Sequence, residues 1–178
     1  TVGDNIPDTD DWAEYWDSIF SPFADWIQTS FPHMHDTASP VRRELVNKHG
    51  LLYTWPGSDP TLKPIVLMSH QDVVPVANET LDQWIHPPFS GHIDIENQTV
   101  WGRGSVDCKL WLVSTISAVE TLVKSDFKPK RTIILSIGHD EESDGKHGAQ
   151  HLSAELEKRF GRGGIGMIVD EGTPLLSS

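Results

Sequence analysis

The sequence predicts an α/β domain in which helices cover both faces of a mostly parallel central sheet. Three short apolar runs have the character of buried strands, because they are hydrophobic at successive positions and not only at alternate ones. Amphipathic segments of helical length separate these runs. Together these features predict a three-layer α/β/α sandwich. The three runs are residues 64–68, 132–137 and 165–169.

Composition limits the kinds of partner that the chain can have. Its 178 residues carry a net charge of -12 and an isoelectric point near 5.0, which fits one soluble domain of ordinary size. Such acidity argues against binding to nucleic acid, whose phosphates are also negative. No apolar run approaches the roughly 20 residues that a membrane-spanning helix needs. Cys108 is the only cysteine, so an intrachain disulfide cannot form.

The N-terminal stretch and two sequons bear on the location of the protein. Residues 1–11 are polar and acidic and begin without Met, which predicts a mature or trimmed form without its leader. Acceptor triplets for N-glycosylation begin at Asn78 and Asn97. These triplets favour a vacuolar or secretory lumen, or secretion, as the location.

Residues 1–48 are predicted to form a helical region that precedes an α/β core at residues 49–178. Aromatic residues at helical spacing in residues 10–27 indicate a packing face, in preference to a surface that stacks on a cofactor. Pro22 predicts that one helix ends there and that a second helix begins.

Two more features belong to this N-terminal region. Ser39-Pro40 has the character of a helix N-cap and first helical residue, so a helix is predicted at residues 41–48. His33 and His35 form a pair that could bind metal, but no strand or carboxylate accompanies them, and the pattern favours surface residues. In the core we expect a strand at residues 51–55, a hairpin at 91–101, and helices at 110–124 and 148–160.

Histidine and acidic side chains follow the three apolar strands, at the point where each strand ends. The carboxyl ends of parallel strands lie at one edge of a sheet, so we expect these side chains to meet there. Asp107 follows two glycines and precedes a helix, which makes it either a fourth member of the group or simply a helix cap. The pairs at the strand ends are His70 and Asp72, Glu141 and Glu142, and Asp170 and Glu171.

This set of residue types predicts a metal centre. One imidazole among several carboxylates, without a useful thiolate, suits zinc, or else manganese or cobalt. Crowded carboxylates raise one another's pKa, and a divalent cation removes that repulsion. The acidic run at residues 140–144 is also typical of a solvated surface, but its position directly after a buried strand favours a site. Two cations that share a carboxylate activate water for hydrolysis.

Five stretches of the chain, in this order, resemble one known family. They are MSHQDVVPV, WIHPPFSGH, WGRGSVDCK, PKRTIILSIGHDEE and IVDEG, between residues 64 and 172. The family is that of the carboxypeptidase S-like di-zinc exopeptidases, relatives of aminoacylase and carnosinase. The resemblance implies a zinc exopeptidase-like fold and two Zn²⁺ ions in a complete active site.

The resemblance also implies which residues hold the first zinc ion. His70 is implied as a ligand of that ion. Asp72 is implied to orient the imidazole of His70 without binding the ion itself. Asp107 is implied as the bridge between both ions. Asp170 is implied as a further ligand of the first ion, with Glu171 as its rival for that role.

The acidic run at residues 140–144, called the acidic turn below, supplies the remaining roles that the resemblance implies. Of its two adjacent glutamates only one need bind metal, so Glu142 is implied as a ligand of the second zinc ion and Glu141 as the general base. A cis peptide bond between Asp107 and Cys108 is implied by the same analogy.

The chain also departs from the family pattern. Leu110-Trp111 stands where relatives usually carry Asn, and His139 where Gly or Phe is more usual. Family members run to several hundred residues, with an inserted lid domain that dimerises and a last zinc-binding histidine near the C-terminus. The chain is therefore expected to be the N-terminal part of a catalytic domain, without the lid and the C-terminal segment.

Three functions follow from these expectations. The first is a zinc-dependent metallocarboxypeptidase that hydrolyses C-terminal residues from small peptides through a metal-activated water. The second is an N-acyl amino acid hydrolase of the same family. The third is a truncated, non-catalytic fragment that binds metal. A small peptide or N-acyl amino acid is thus the expected substrate, and a homodimer through the lid is the expected assembly.

Overall fold

A computed structural model describes residues 10–172, with side chains from residue 14 onward. Residues 1–9 and 173–178, which the predicted domain includes, lie outside the described part. In chain order the helices and strands are α1 (Asp10–Ser30), α2 (Pro32–His35), β1 (Arg42–Val46), β2 (Gly50–Trp55), β3 (Ile65–His70), β4 (His92–Asp94), β5 (Thr99–Trp101), α3 (Lys109–Lys124), β6 (Ile133–Gly138), α4 (Ala149–Phe160) and β7 (Met167–Val169).

Five strands form the central sheet in the order β1-β2-β6-β3-β7, and β4 and β5 form a separate hairpin. β3 lies between β6 and β7 and runs parallel to both. β1 and β2 run antiparallel to their neighbours at the other side of the sheet. The carboxyl ends of β3, β6 and β7 therefore lie at one edge, where the acidic clusters begin. The predicted α/β class is confirmed.

Helices cover both faces of this sheet, as predicted. Residues of α1, α2 and α3 pack on one face of β2 and β6, where Ile27, Leu112 and Ile116 are fully buried. Leu152 of α4 packs on the opposite face, against Val66 and other strand residues. Each such side chain contributes about 1.5–3 kcal/mol by leaving water, so the two apolar layers hold the sheet between them.

The N-terminal helix differs from the expectation of a break at Pro22. α1 is one continuous helix with Pro22 inside it. Buried side chains stand on both sides of the proline, with Phe20 and Ile27 packed into the core. Their burial offsets the cost of a proline in a helix interior, which is about 3 kcal/mol. The predicted break is wrong because tertiary packing outweighs the local preference.

The predicted helix at residues 41–48 is also wrong, because β1 occupies most of that segment. β1 forms a hairpin with β2, and its pairing ends at Val46 opposite Gly50. Asn47 and Lys48 in the connecting turn have φ values of 47° and 70°. The Ser39 hydroxyl accepts the backbone N–H of Val41, so it stabilises a local turn instead of capping a helix. Residues 1–48 are thus not wholly helical.

The other predicted elements are confirmed, with ends shifted by one or two residues in most cases. These are β2, β3, β6 and β7, the β4–β5 hairpin, and the two helices α3 and α4. Within residues 10–172, the helices are all too short or too polar to cross a bilayer.

Candidate metal centre

His70 lies at the centre of the candidate site, at the last position of β3. Its side chain is only 1% exposed. Nδ1 lies 3.1 Å from the backbone oxygen of Asp72 and 3.2 Å from Oδ1 of the same residue. An Nδ1–H that donates to Asp72 leaves the lone pair of Nε2 available for a cation. The burial fixes the ring, and Asp72 fixes its tautomer.

Carboxylates from three separate segments surround Nε2 of His70. Asp107 Oδ1 lies 3.0 Å from it, Glu171 Oε1 lies 3.1 Å away and Glu141 Oε2 lies 3.9 Å away. The strand-end prediction is that these side chains meet at one edge of the sheet, and the structure brings them together there. Ligand atoms of His70, Asp107, Cys108 and Glu171 all lie within 4.8 Å of one another.

Asp72 connects this histidine to the acidic turn after β6. It is buried, and its two carboxylate oxygens accept the backbone N–H groups of Glu141 and Glu142, each at 3.1 Å. Burial alone would raise the pKa of Asp72, but the hydrogen bond to His70 and these N–H donors hold it below its ordinary value. One carboxylate thus positions both the imidazole and the turn.

Asp107 reaches the site because its loop is tied to the end of β3. The Cys108 Sγ accepts the backbone N–H of His70 at 3.2 Å, and the thiol donates to the His70 carbonyl at 3.5 Å. Gly104 has a φ of 80°, and a Cβ there would lie 2.9 Å from Val73 Cγ1. The peptide bond between Asp107 and Cys108 is cis, as expected.

The helix-cap alternative for Asp107 does not describe its position. The N-cap of α3 is Cys108, and no side chain caps that helix end. The Asp107 carboxylate lies beside His70 instead. Its location two residues before α3 thus brings a negative charge to the edge of the sheet.

The two glutamates of the acidic turn differ in environment. Glu141 is exposed, whereas Glu142 is half-buried. The Glu142 Oε1 is buried and has no hydrogen-bond partner within residues 10–172. Burial and the Asp107 carboxylate raise the pKa of Glu142. A buried carboxylate oxygen without a donor is costly unless a cation faces it. The unpartnered oxygen of Glu142 therefore indicates that this set of donor atoms fits a divalent cation.

The acidic pair after β7 divides in a similar way. The side chain of Glu171 lies against His70, as described above, and burial raises its pKa. Asp170 is exposed, and its Oδ1 accepts the backbone N–H of Glu171 at 2.9 Å. Both residues line the same cavity. The choice of Asp170 over Glu171 as ligand stays a prediction, and in the structure Glu171 is the nearer of the two to His70.

The charges around His70 also fit a cation. Burial lowers the pKa of His70, but the hydrogen bonds to Asp72 and Cys108 outweigh burial and raise it to about 12. The imidazole therefore holds a proton tightly in a pocket of negative groups. A divalent cation at Nε2 would replace that proton and satisfy the same carboxylates.

Asp140 and its neighbour His139 serve the fold instead of the site. The buried Asp140 carboxylate accepts the backbone N–H groups of His147 and Gly148, at 2.6 and 2.8 Å, just before α4. His139 is fully buried between Trp16 and Phe20 of α1. The acidic run is therefore neither wholly a site nor wholly a solvated surface.

Sequence reasoning gave no role to Cys108 or to the beginning of α3. The only available signal for Cys108 was its position directly after Asp107. A cavity of about 870 Å³ lies beside the candidate ligands. It is lined by Val106, Asp107, Cys108, Leu110, Trp111, Ser114, Glu141, Glu142, Asp170, Glu171 and Gly172.

Comparisons with known proteins identify the family of the chain. Residues 66–177 match the family described as peptidase family M20/M25/M40. Carboxypeptidase S of Saccharomyces cerevisiae is 47% identical over 98% of this chain, and the mouse N-fatty-acyl-amino acid synthase/hydrolase PM20D1 is 40% identical over 89%. In both cases the chain spans 30% of the length of the relative.

The fold is also found among solved structures. The M20 family metallo-carboxypeptidase Sso-CP2 from Sulfolobus solfataricus superposes with a TM-score of 0.61 at 19% identity, covering 88% of this chain and 33% of its own. The dipeptidase Dug1p from Saccharomyces cerevisiae gives a TM-score of 0.62 at 21% identity, covering 87% of this chain and 33% of its own.

Proposed function

The chain belongs to peptidase family M20/M25/M40, and from that premise we propose that it supplies the metal centre of a zinc-dependent carboxypeptidase acting on small peptides. The observation that carries the proposal is the buried His70 with its Nε2 facing Asp107, Glu171 and the exposed Glu141. An imidazole with convergent carboxylates at a strand end is a donor set for zinc, and its adjacent cavity gives a substrate access.

We assign the ligands as follows. His70 and Asp170 would hold the first zinc ion, with Glu171 as the alternative to Asp170, and Glu142 would hold the second. Asp107 would be the ligand that both ions share. When bound, two zinc ions polarise a scissile carbonyl and make a water molecule acidic enough to attack at neutral pH.

The protein's own residues carry the proton transfers. Glu141 is exposed at the edge of the site, where its carboxylate accepts the proton of the attacking water and then donates it to the leaving amine. Asp72 orients His70 and holds the backbone of the turn that carries Glu141, so the base and the ligands keep a fixed separation.

A second candidate is hydrolysis of an N-acyl amino acid at the same centre. It is favoured by the 40% identity to the mouse N-fatty-acyl-amino acid synthase/hydrolase. Both reactions cleave an amide next to a free carboxylate, so the assigned residues would act in the same way. A third candidate is a fragment that binds metal without turnover, because the relatives are much longer and a further ligand histidine belongs to the proposed complete domain.

Metal content and turnover separate these candidates. Near two zinc ions per chain by mass spectrometry, with hydrolysis that a chelator abolishes, supports an enzyme. Release of a C-terminal amino acid from dipeptides, as against N-acyl amino acids, then identifies the substrate class. No more than one zinc ion and no turnover would support the metal-binding fragment.

Glu141→Gln tests the general base. We expect this variant to keep its zinc and to lose at least about a hundredfold in turnover, because Gln cannot accept the proton of water. Glu96→Gln, on the exposed β4–β5 turn, should match the unmodified chain. Undiminished turnover in Glu141→Gln would show that another group is the base.

The same proposal includes a vacuolar or secretory location and a homodimer formed through a lid in a longer protein. Asn78 and Asn97, which begin the two sequons, are both exposed. After expression through a yeast secretory pathway, peptide mapping should find glycans on one or both. Unmodified asparagines at both positions would count against the location, and a monomer in sedimentation of the longer protein would count against the dimer.

A further inference from the structure

The wall of the cavity beside the candidate metal centre is apolar on the α3 side. Leu110, Trp111 and Ser114 lie within the first two turns of α3 and line this cavity together with Val106. The core-facing side of the helix is different and carries Leu112, as well as Ile116 and Val119. α3 therefore presents one apolar surface to the core and a second apolar surface to the cavity.

This second surface is exposed, although its residues are hydrophobic. Leu110 is 62% exposed and Val106 is 53% exposed. A single exposed leucine is ordinary on a protein surface. Here two exposed apolar side chains and an indole line the same cavity as the candidate ligands, which is the arrangement of a ligand pocket.

The indole of Trp111 is held in place within this wall. Its Nε1–H donates to the backbone oxygen of Met68 at 2.8 Å, so α3 is tied to the strand that ends in His70. The polar atom of the ring is satisfied by this bond. What the ring adds to the cavity is its apolar surface, at low cost in side-chain entropy on binding.

The charges of the cavity decide which part of a substrate fits. Every ionisable lining residue other than Cys108 is a carboxylate, and no described lysine or arginine lines the cavity. The Cys108 thiol cannot carry a positive charge. A free carboxylate would therefore find no cationic side chain on this wall, whereas an uncharged apolar group would remove Leu110 and Val106 from water.

We infer that Val106, Leu110 and Trp111 form a subsite for an apolar acyl group of the substrate. This subsite rests on the proposed function, and it places the acyl side of the scissile amide against α3. The carboxylate-bearing side of the substrate must then point away from α3. Leu110 is the specificity-determining residue, because it is the most exposed of the three.

A homologous ligand series tests the subsite by binding, independently of turnover. The zinc-loaded chain is titrated with N-acetyl-, N-butyryl- and N-octanoylglycine in a calorimeter. We expect affinity to rise with acyl length, by up to about fourfold for each buried CH₂. Leu110→Asn should flatten this rise, whereas Leu110→Met should keep most of it.

The controls distinguish binding at the subsite from nonspecific hydrophobic binding. Ile95→Asn removes an exposed isoleucine, 84% accessible near the β4–β5 turn, and should leave the rise unchanged. Circular dichroism and zinc content check that each variant is folded. No rise in the unmodified chain, or an equal rise in Leu110→Asn, would overturn the subsite.

Turnover measured on the same compounds makes the two possible failures distinct. A length-dependent affinity without hydrolysis would support the subsite and contradict the proposed activity. Hydrolysis at a rate and affinity that do not depend on acyl length would support the activity and contradict the subsite.

Discussion

Asp72 connects two distant parts of the candidate site, because it binds Glu141 and Glu142, which lie 69 and 70 positions further along the chain. Its carboxylate contacts the buried imidazole of His70 and also holds the turn that carries Glu141 and Glu142. A charged carboxylate has enough acceptor positions for all three contacts. In an asparagine at this position, an NH₂ group would replace one of the two oxygens. At least one backbone N–H group would then meet a second donor instead of an acceptor.

Asp72→Asn should therefore weaken zinc binding by roughly ten- to a hundredfold, the usual effect of losing a residue that orients a ligand. Competition with a chromophoric chelator measures the affinity. Asp126→Asn is the matched control, because that carboxylate is 96% exposed and belongs to the turn after α3, outside the candidate metal centre. Equal zinc affinities for Asp72→Asn and the unmodified chain would remove Asp72 from the orienting role.

The strand-end pattern predicted that His70 and the acidic pairs are neighbours, because the carboxyl ends of parallel strands lie at one edge of a sheet. It left Asp107 open between the site and a helix cap, and only the family resemblance assigned Asp107 to the metal centre. The strand-end pattern could not identify which acids face the imidazole. Asp140 has the same charge as Glu141, yet it is buried and accepts the N–H groups before α4. Glu171 lies nearer to His70 than sequence position indicated, and only side-chain geometry separates it from Asp170.

At the scale of elements, apolar runs predicted the inner strands well because burial on both faces leaves a clear pattern. β1 was missed for the opposite reason. Arg42, Arg43 and Glu44 are polar residues of an edge strand, and charges at an edge prevent pairing with another sheet. β1 is a strand because it pairs with β2 and because the turn at Asn47 connects the two strands. The sequence of residues 42–46 alone predicts neither the pairing nor the turn.

The beginning of α4 depends on one glycine next to Asp140. A Cβ at Gly148 would lie 2.5 Å from Asp140 Oδ1 and 2.8 Å from the backbone nitrogen of His139. Gly148→Ala should lower the free energy of unfolding by about 1–3 kcal/mol, since buried backbone would have to move. Urea denaturation measures the change.

Gly138→Ala is the control for this substitution. Gly138 ends β6 nearby, but a Cβ there meets only Ala149 N at 3.7 Å, an ordinary contact. We expect a much smaller loss of stability for Gly138→Ala. Equal losses for the two variants would mean that the contact with Asp140 does not control the beginning of α4.

At the scale of the whole molecule, α1 is attached to the sheet through a buried histidine. His139 lies in contact with Trp16 and Phe20 of α1 and with the ring of His49. Among the described residues, neither of its ring nitrogens has a hydrogen-bond partner. Burial, and then the nearby His49, lower the pKa of His139 to about 4. Protonation of this ring therefore opposes the docking of α1.

Acid should destabilise the molecule through His139 before most carboxylates titrate. Between the unfolded pKa of 6.5 and the folded pKa of about 4, the unfolded chain binds the extra proton. The contribution of His139 to the free energy of unfolding is thus complete above pH 6.5 and is lost as the pH falls towards 4. Between pH 7 and pH 5 we expect a loss of about 2 kcal/mol from this residue, measured by urea denaturation of the metal-free chain.

His139→Phe keeps the aromatic contacts and removes the titration. Its free energy of unfolding should therefore fall less between pH 7 and pH 5 than that of the unmodified chain. His33→Asn, at an exposed position, should follow the unmodified chain. The same pH dependence in His139→Phe would mean that other groups account for the acid sensitivity.

The residues around His70 come from four stretches of the chain that are joined only by the sheet and its loops. A fully extended polypeptide would hold positions 70 and 171 up to roughly 350 Å apart, so it could not chelate one ion with both. Uptake of an ion by this full set of groups thus requires β3, β6 and β7 to be in register. Occupancy by zinc can therefore be read as a count of correctly assembled molecules in a preparation.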